Sequence, residues 1–242
     1  MKYGIISVGC NCASNINAWY SSIIQQSEKD FYCIAVLDRC TDNSIDKITR
    51  LTKRDNRFKI IYNSKHNYGA AYNRYIASKH INNPEAILMH VDLDDMFYGK
   101  HAIRRVKEEY DMHKCWMTYG SFQTQDGKRG RANKEIPGYV WKRNSHRKNR
   151  WSTSALRTCK KWLWDKIDVN DFKLQNGKWV KRATDFACMF PMLEMSGKKR
   201  VRYIYDIIYV YNHNANIPFK ENYVVKVINY LRSRKPYTLI KS

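Results

Sequence analysis

Residues 86–95 read AILMHVDLDD, a short apolar run that ends in three carboxylates within four positions, Asp92, Asp94 and Asp95. An apolar segment of this length, bounded by polar residues, predicts a buried strand ending near Val91. Carboxylates crowded at a strand end repel one another unless a cation sits among them. A hard divalent ion such as Mg2+ or Mn2+ takes oxygen ligands of this kind and is usually completed by substrate phosphates.

Working outward, residues 3–8, 31–37, 58–62 and 116–121 share the apolar, β-branched or aromatic character of a strand. Between the five strands lie longer, more polar segments, 14–27, 44–54, 69–79 and 100–113. One of them carries Ile45, Ile48 and Leu51 at helical spacing. Ser14 and Ser44 are candidate N-caps. Strand alternating with helix predicts an α/β fold with a mostly parallel central sheet flanked by helices. Ligands bind such sheets at the carboxyl ends of the strands. The loops there are Gly9-Cys10-Asn11, residues 38–44 and residues 92–95. No Gly-x-x-x-x-Gly-Lys-Ser/Thr loop and no Gly-x-Gly-x-x-Gly follows the first strand, which argues against a P-loop NTPase and a dinucleotide dehydrogenase.

The C-terminal half is less regular. Residues 155–167 and 184–195 predict helices, the second mostly buried and carrying Pro191. Residues 201–211 predict a strand or hairpin, and 222–232 a closing helix. No linker or repeat interrupts the chain, so residues 1–242 read as one unit.

At 43% hydrophobic over 242 residues, the composition is globular. Charge is lopsided: 44 Lys and Arg against 22 Asp and Glu leave +22, of which residues 1–110 carry +4 and residues 111–242 carry +18. Residues 128–150 hold nine basic side chains and the single acid Glu135. Such a surface favours anionic partners. The basic half leaves a nucleic-acid-binding module without catalysis as the alternative reading, although no zinc-finger spacing or RNA-binding aromatic motif accompanies it. Seven cysteines with no Cys-x-x-Cys pair point to a reducing, cytoplasmic compartment. No apolar run reaches the ~18 residues of a membrane helix. Asn11, Asn15 and Asn17 interrupt any secretory leader.

The order of motifs resembles the family 2 glycosyltransferases of the GT-A fold. The likeness runs through Ser22-Ile23-Ile24-x-Gln26, Asp30-Phe31, Asp38-x-x-Thr41-Asp42-Asn43-Ser44, Asn67-x-Gly69-x-x-x-Asn73 and Asp92-x-Asp94-Asp95. It continues in Thr153-Ser154-Ala155-Leu156-Arg157-Thr158, in Asp185-x-Ala187-x-Met189-x-Pro191 and in Tyr209-x-Tyr211-Asn212. Leu37 replaces the family's usual first acid, Arg39-Cys40 replace Gly-Ser, and Thr184-Asp185 replaces Glu-Asp.

The resemblance implies a Rossmann-like nucleotide-sugar-binding half, 1–121, and an acceptor and catalytic-base half, 122–242. It implies inverting transfer from a nucleotide-sugar, a UDP-sugar first, to a hydroxyl of a glycan, lipid or protein-linked acceptor. Val8, Gly9, Asp38, Asn67, Gly69, Asn73 and Asp92 fall at donor-binding positions, with Asp38 toward the base. Asp94, Asp95 and His213 fall at the metal, Mn2+ or Mg2+. Asp185 falls at the general base, with Glu194 and Asp206 the next candidates. Trp151 and Arg157 are assigned to the acceptor, with Trp141 a further candidate for sugar contact; core packing is the expectation for most of the four tryptophans Trp141, Trp151, Trp162 and Trp164. The basic segment 128–150 is expected to be exposed and mobile beside the acceptor site, attracting an anionic acceptor or the anionic surface of a membrane. No specific nucleic acid is expected under this reading.

Overall fold

The computed structural model describes residues 2–130, 133–212 and 221–241. Among the described residues, eight strands and eight α-helices are formed. The strands are β1 (Tyr3–Gly9), β2 (Phe31–Asp38), β3 (Phe58–Asn63), β4 (Ile87–His90), β5 (Met96–Phe97), β6 (Met117–Thr124), β7 (Ser154–Lys160) and β8 (Val201–Tyr211). The helices are α1 (Ile16–Ile24), α2 (Ser44–Thr52), α3 (Ala70–Ser78), α4 (Ala102–His113), α5 (Gly138–Lys142), α6 (Lys161–Asp165), α7 (Thr184–Ser196) and α8 (Glu221–Ser233).

All strands join one sheet in the order β3-β2-β1-β4-β7-β6-β8-β5. Its first four strands are parallel; β7 runs antiparallel to both of its neighbours, while β6 and β8 pair in parallel. Strand periodicity explains the two layers. Ile6 and Val8 of β1 face one core with Ile34 and Val36 of β2. Tyr3, Ile5, Cys33, Ala35 and Leu37 face the other. The first core is closed by Ala71 and Ala77 of α3, Met189 and Leu193 of α7, and Val227 and Leu231 of α8. The second is closed by Trp19 and Ile23 of α1, Ile48 of α2 and Val106 of α4. Each fully buried Ile or Leu contributes roughly 1.5–3 kcal/mol relative to exposure. Both faces of β1 and β2 are covered, which is why these strands read as nearly continuous apolar runs. Helix α7 is buried at every position except Asp185, as expected of a helix that is apolar all round.

Three expectations are corrected. Residues 155–167 do not form one helix: 154–160 are β7 and only Lys161–Asp165 are helical. The apparent helical spacing of Leu156, Leu163, Trp164 and Ile167 spans two elements. Residues 154–160 fill the gap between β4 and β6, whose edges would otherwise carry unpaired backbone groups. Thr158 also bonds Thr118 and Tyr110 there. The caps differ as well. Asn15 and Asn43 hold the N-cap positions, and Ser44 is the first helical residue, whose N–H bonds the Asp42 carboxylate.

The basic stretch is not a uniform solvated loop. It contains α5 and the three-ten turn His146–Lys148, in which His146 and Arg147 are buried. Strand β5, unanticipated because it is two residues long, pairs with β8 and brings its end to the acidic turn. No helix among the described residues is long and apolar enough to cross a membrane.

Candidate active site

The carboxyl ends of β1, β2 and β4 meet at one edge of the sheet. Leu93 N–H donates to the Val8 carbonyl at 3.1 Å. A Cβ at Gly9 would lie 2.7 Å from Leu93 Cβ, so glycine there lets the acidic turn approach β1. Asp38 ends β2 and is buried. Its carboxylate accepts the N–H groups of Tyr68 at 3.2 Å and Gly69 at 2.7 Å, anchoring the loop that enters α3. Gly69 has φ +85, and a Cβ there would sit 2.9 Å from Lys181 Cα. Handedness and space both require glycine. Of the other two residues in this motif, Asn67 is exposed and Asn73 is buried, accepting from Asn63 at 2.7 Å.

Asp92, Asp94 and Asp95 each present an oxygen within 4.8 Å of the others. Burial first, and Asp92 second, push the Asp94 carboxyl up to about 6. Burial, Asp94 and Asp92 hold Asp95 well above the carboxylate range. Asp95 is tied down: its oxygens accept from the Tyr209 hydroxyl and the Asn212 N–H, so it pins the end of β8 to the turn. Asp92 takes a two-pronged bond from Arg74 at 2.6 and 2.7 Å. The half-buried Arg182 feels Asp94 and Asp92, although burial weakens its charge. An acid surplus in a partly dry site fits a divalent cation, which offsets the repulsion that burial amplifies.

Asp185 stands in the first turn of α7. Arg157 reaches it from β7 at 3.2 Å while also donating to the Thr153 carbonyl. Arg74 bonds both Asp92 and the Thr184 hydroxyl, so one guanidinium links the acidic turn to the residue preceding Asp185. Between Arg74 and Arg157 lies His90, whose ring nitrogens are buried and without a partner. Burial and the two arginines hold it well below its ordinary 6.5, hence neutral. Trp151 stacks on Phe186 at 3.9 Å and 16°, and the Arg232 guanidinium lies 5.6 Å from the same ring.

Arg74 therefore ties the acidic turn to the first turn of α7, where Arg157 bonds Asp185 and Trp151 stacks on the next residue, Phe186. His213 lies outside the described residues. Glu194 does not serve as a base: it is buried in a bidentate pair with Arg147. Asp206 is an exposed partner of Arg105. Trp164 is buried in the core, and Trp141 and Trp162 pack against it. Sequence reading misses Arg74. Its signal is a cation on the face of α3 that also carries Ala70 and Ala77, where only a paired charge is tolerated.

No curated protein matches the sequence. Among solved structures, TarS of S. aureus in complex with UDP-GlcNAc superposes with a TM-score of 0.65 at 15% identity, covering 94% of this chain and 64% of that one. A longer TarS structure gives 0.66 at 16% identity, covering 94% of this chain and 42% of that one. The mannosyltransferase PcManGT of Pyrobaculum calidifontis, in complex with GDP-Man and Mn2+, gives 0.60 at 13%, covering 89% and 58%. The chain thus spans about two fifths to two thirds of the length of these proteins and shares their GT-A fold. The profile described as Glycosyl transferase family 2 matches residues 5–170. That match takes in the Asp38 loop, Gly69, the acidic turn and Arg157, and the chain belongs to glycosyl transferase family 2.

Proposed function

We propose that the protein transfers a glycosyl unit from a nucleotide-sugar, a UDP-sugar first, to an acceptor hydroxyl with inversion at the anomeric carbon. The observation that carries this reading is the convergence of two separate acidic positions, the 92–95 turn and the first turn of α7 with Asp185, through the bonds of Arg74 and Arg157. In-line displacement needs a carboxylate to take the acceptor proton on one face while diphosphate leaves from the other. Asp185 is the base, and Arg157 orients it. Val8, Gly9, Asp38 and the loop around Asn67 and Gly69 line the nucleotide pocket, with Asn73 behind the loop. Asp92 holds the ribose and is itself held by Arg74.

Asp94 and Asp95, with His213, are the residues to hold Mn2+ or Mg2+. When bound, the ion neutralises charge building up on the leaving diphosphate. Arg182 adds a cation from the protein itself.

The acceptor approaches past Trp151 and Arg157. Arg232, against Phe186, and the exposed Lys142, Arg143 and Lys148 give that side a positive field suited to an anionic glycan or glycoconjugate, or to peripheral contact with an anionic membrane. Seven unpaired thiols suit a reducing, cytoplasmic setting.

The test is a donor-hydrolysis panel of UDP-, GDP- and dTDP-sugars with and without Mn2+, run beside thermal shifts with UDP. Slow hydrolysis of one donor class and Mn2+-dependent protection by UDP support the reading. Tight nucleic-acid binding with a steep salt slope and no nucleotide effect would replace it with the alternative.

A further inference from the structure

Where the family usually has Gly-Ser after the β2 acid, this chain has Arg39-Cys40, and the facing loop after β1 carries Cys10. The two strands pair in parallel with Gly9 opposite Leu37, so the loops leave the sheet side by side. Asn11 and Arg39 both have left-handed backbone, φ +52 and +51, which turns the loops toward each other. They are zipped by Asn11: its amide donates to the Thr41 hydroxyl at 3.0 Å and accepts the Thr41 N–H at 2.7 Å.

The thiols lie inside this zipper in a reciprocal arrangement. The Cys10 thiol donates to the Arg39 carbonyl at 3.8 Å, and Cys40 Sγ accepts the Asn11 N–H at 3.4 Å. Each sulfur thus touches the backbone beside the other, which sets the two thiols side by side. Cys10 is exposed, whereas Cys40 lies beneath it. The pair differs from the other five cysteines, all of them buried. Burial pushes Cys12 and Cys115 up to about 12 and Cys188 to about 11. The neighbouring Cys10 lowers the Cys40 thiol to about 7 against the effect of burial, while the Cys10 thiol itself is pushed up by Cys40 and by burial. A thiolate beside an accessible thiol is the arrangement of a redox-sensitive pair.

We propose that Cys10 and Cys40 form a redox-active dithiol at the rim of the nucleotide pocket, which hydrogen peroxide closes to a disulfide joining the β1 and β2 loops. The Cys40 thiolate attacks one peroxide oxygen; hydroxide leaves, and Cys40 becomes a sulfenic acid. The Cys10 thiol then attacks the Cys40 sulfur; the S–O bond breaks, and the departing hydroxide takes the Cys10 proton as water. The two sulfurs lose two electrons, and peroxide is reduced to one water and one hydroxide. In a reducing compartment such a disulfide is transient and signals oxidant rather than bracing the fold.

The experiment treats the reduced full-length chain with hydrogen peroxide, blocks free thiols with N-ethylmaleimide, and maps peptides without reduction. A single Cys10–Cys40 linkage is expected, reversed by dithiothreitol, while the other five cysteines stay reduced. Cys10→Ser should divert Cys40 to sulfinic acid and yield no linkage. Closing a loop of this length in a preorganised geometry should raise the melting temperature of the oxidised protein by several degrees. A different pairing, or Cys10 and Cys40 both remaining free in protein whose circular dichroism is unchanged, would overturn the proposal. A lowered melting temperature would overturn the preorganised geometry. These readouts need no sugar donor, so they stand apart from the outcome of the hydrolysis panel.

Discussion

Two buried charge clusters in this molecule have opposite design. Around the 92–95 turn, three carboxylates crowd together, and the Arg74 guanidinium is committed to Asp92. On α7, Glu194 is matched one for one by Arg147, with bonds of 2.7 and 2.9 Å. The remaining capacity of this pair is filled: Arg147 also donates to the Leu231 carbonyl, Glu194 accepts the Tyr237 N–H, and Arg232 holds the carbonyls of Arg147 and Asn149. The first cluster is under-neutralised, and burial pushes Asp94 and Asp95 upward. The second is complete and gathers the His146–Lys148 turn, α7, α8 and the C-terminal segment. A buried charge left in deficit marks a place for a ligand, and one that is matched marks architecture.

The largest test of that contrast is Glu194→Ala. It should lower unfolding free energy by about 3–5 kcal/mol, because Arg147 is left charged and buried. Urea midpoints check this, and replacing both partners, Arg147→Met with Glu194→Leu, should recover most of the loss. If the single change were harmless, the latch would not be structural.

Next comes Asp185→Asn, nearly isosteric but unable to take a proton. Transfer should fall ~10²-fold or more, about 2.7 kcal/mol in barrier, with donor binding and melting temperature almost unmoved. Turnover close to wild type would place the base elsewhere.

Asp94→Asn sits on the under-neutralised side and should stabilise the metal-free protein at pH 8 by about 1–3 kcal/mol. The sign follows from the carboxyl ionising at about 6 in the fold, against an ordinary 3.8. Its charge costs stability above about 6, and that cost disappears as pH falls below 4, so the advantage of Asn should vanish there. Calorimetry of the same variant should find Mn2+-dependent UDP binding abolished. A destabilised Asp94→Asn at pH 8 would contradict the repulsion.

Smallest of all, Lys142→Ser with Arg143→Ser and Lys148→Ser should shift stability by under ~0.5 kcal/mol and leave donor hydrolysis unchanged, because these side chains are exposed. Arg147, five residues from Lys142 in the same basic stretch, should behave like Glu194 instead. Equal effects at all four positions would erase the distinction between the latch and its surroundings.

The N-terminal side of the sheet was legible because its signals are local. Apolar runs of strand length, helical spacing between them and acids at strand ends specify β1 to β4, α1 to α4 and the 92–95 turn with only small shifts at the boundaries. The buried helix α7 was legible for the same reason, since a segment apolar on all sides has few alternatives. Strand β7 was not. Its residues follow no decisive period, and their conformation is set by hydrogen bonds to β4 and β6, which lie far away in sequence. Two-residue β5 likewise exists only because β8 pairs with it.

Individual charges divide in the same way. Asp92, Asp94 and Asp185 stand out by position in a motif, and composition alone establishes the basic C-terminal half. Which of its cations are free to meet a partner is a different matter. Arg147 and Lys148 are neighbours in the chain, yet one is buried against Glu194 and the other faces water. Arg74 is silent in the motif and central in the fold, holding Asp92 and Thr184 together. Cys10 and Cys40 are thirty residues apart, and only the parallel register of β1 and β2 brings their sulfurs together. Periodicity and motif order reside in the chain, so sequence carries them; desolvation and charge pairing depend on which distant segment arrives alongside, and the tertiary structure alone decides that.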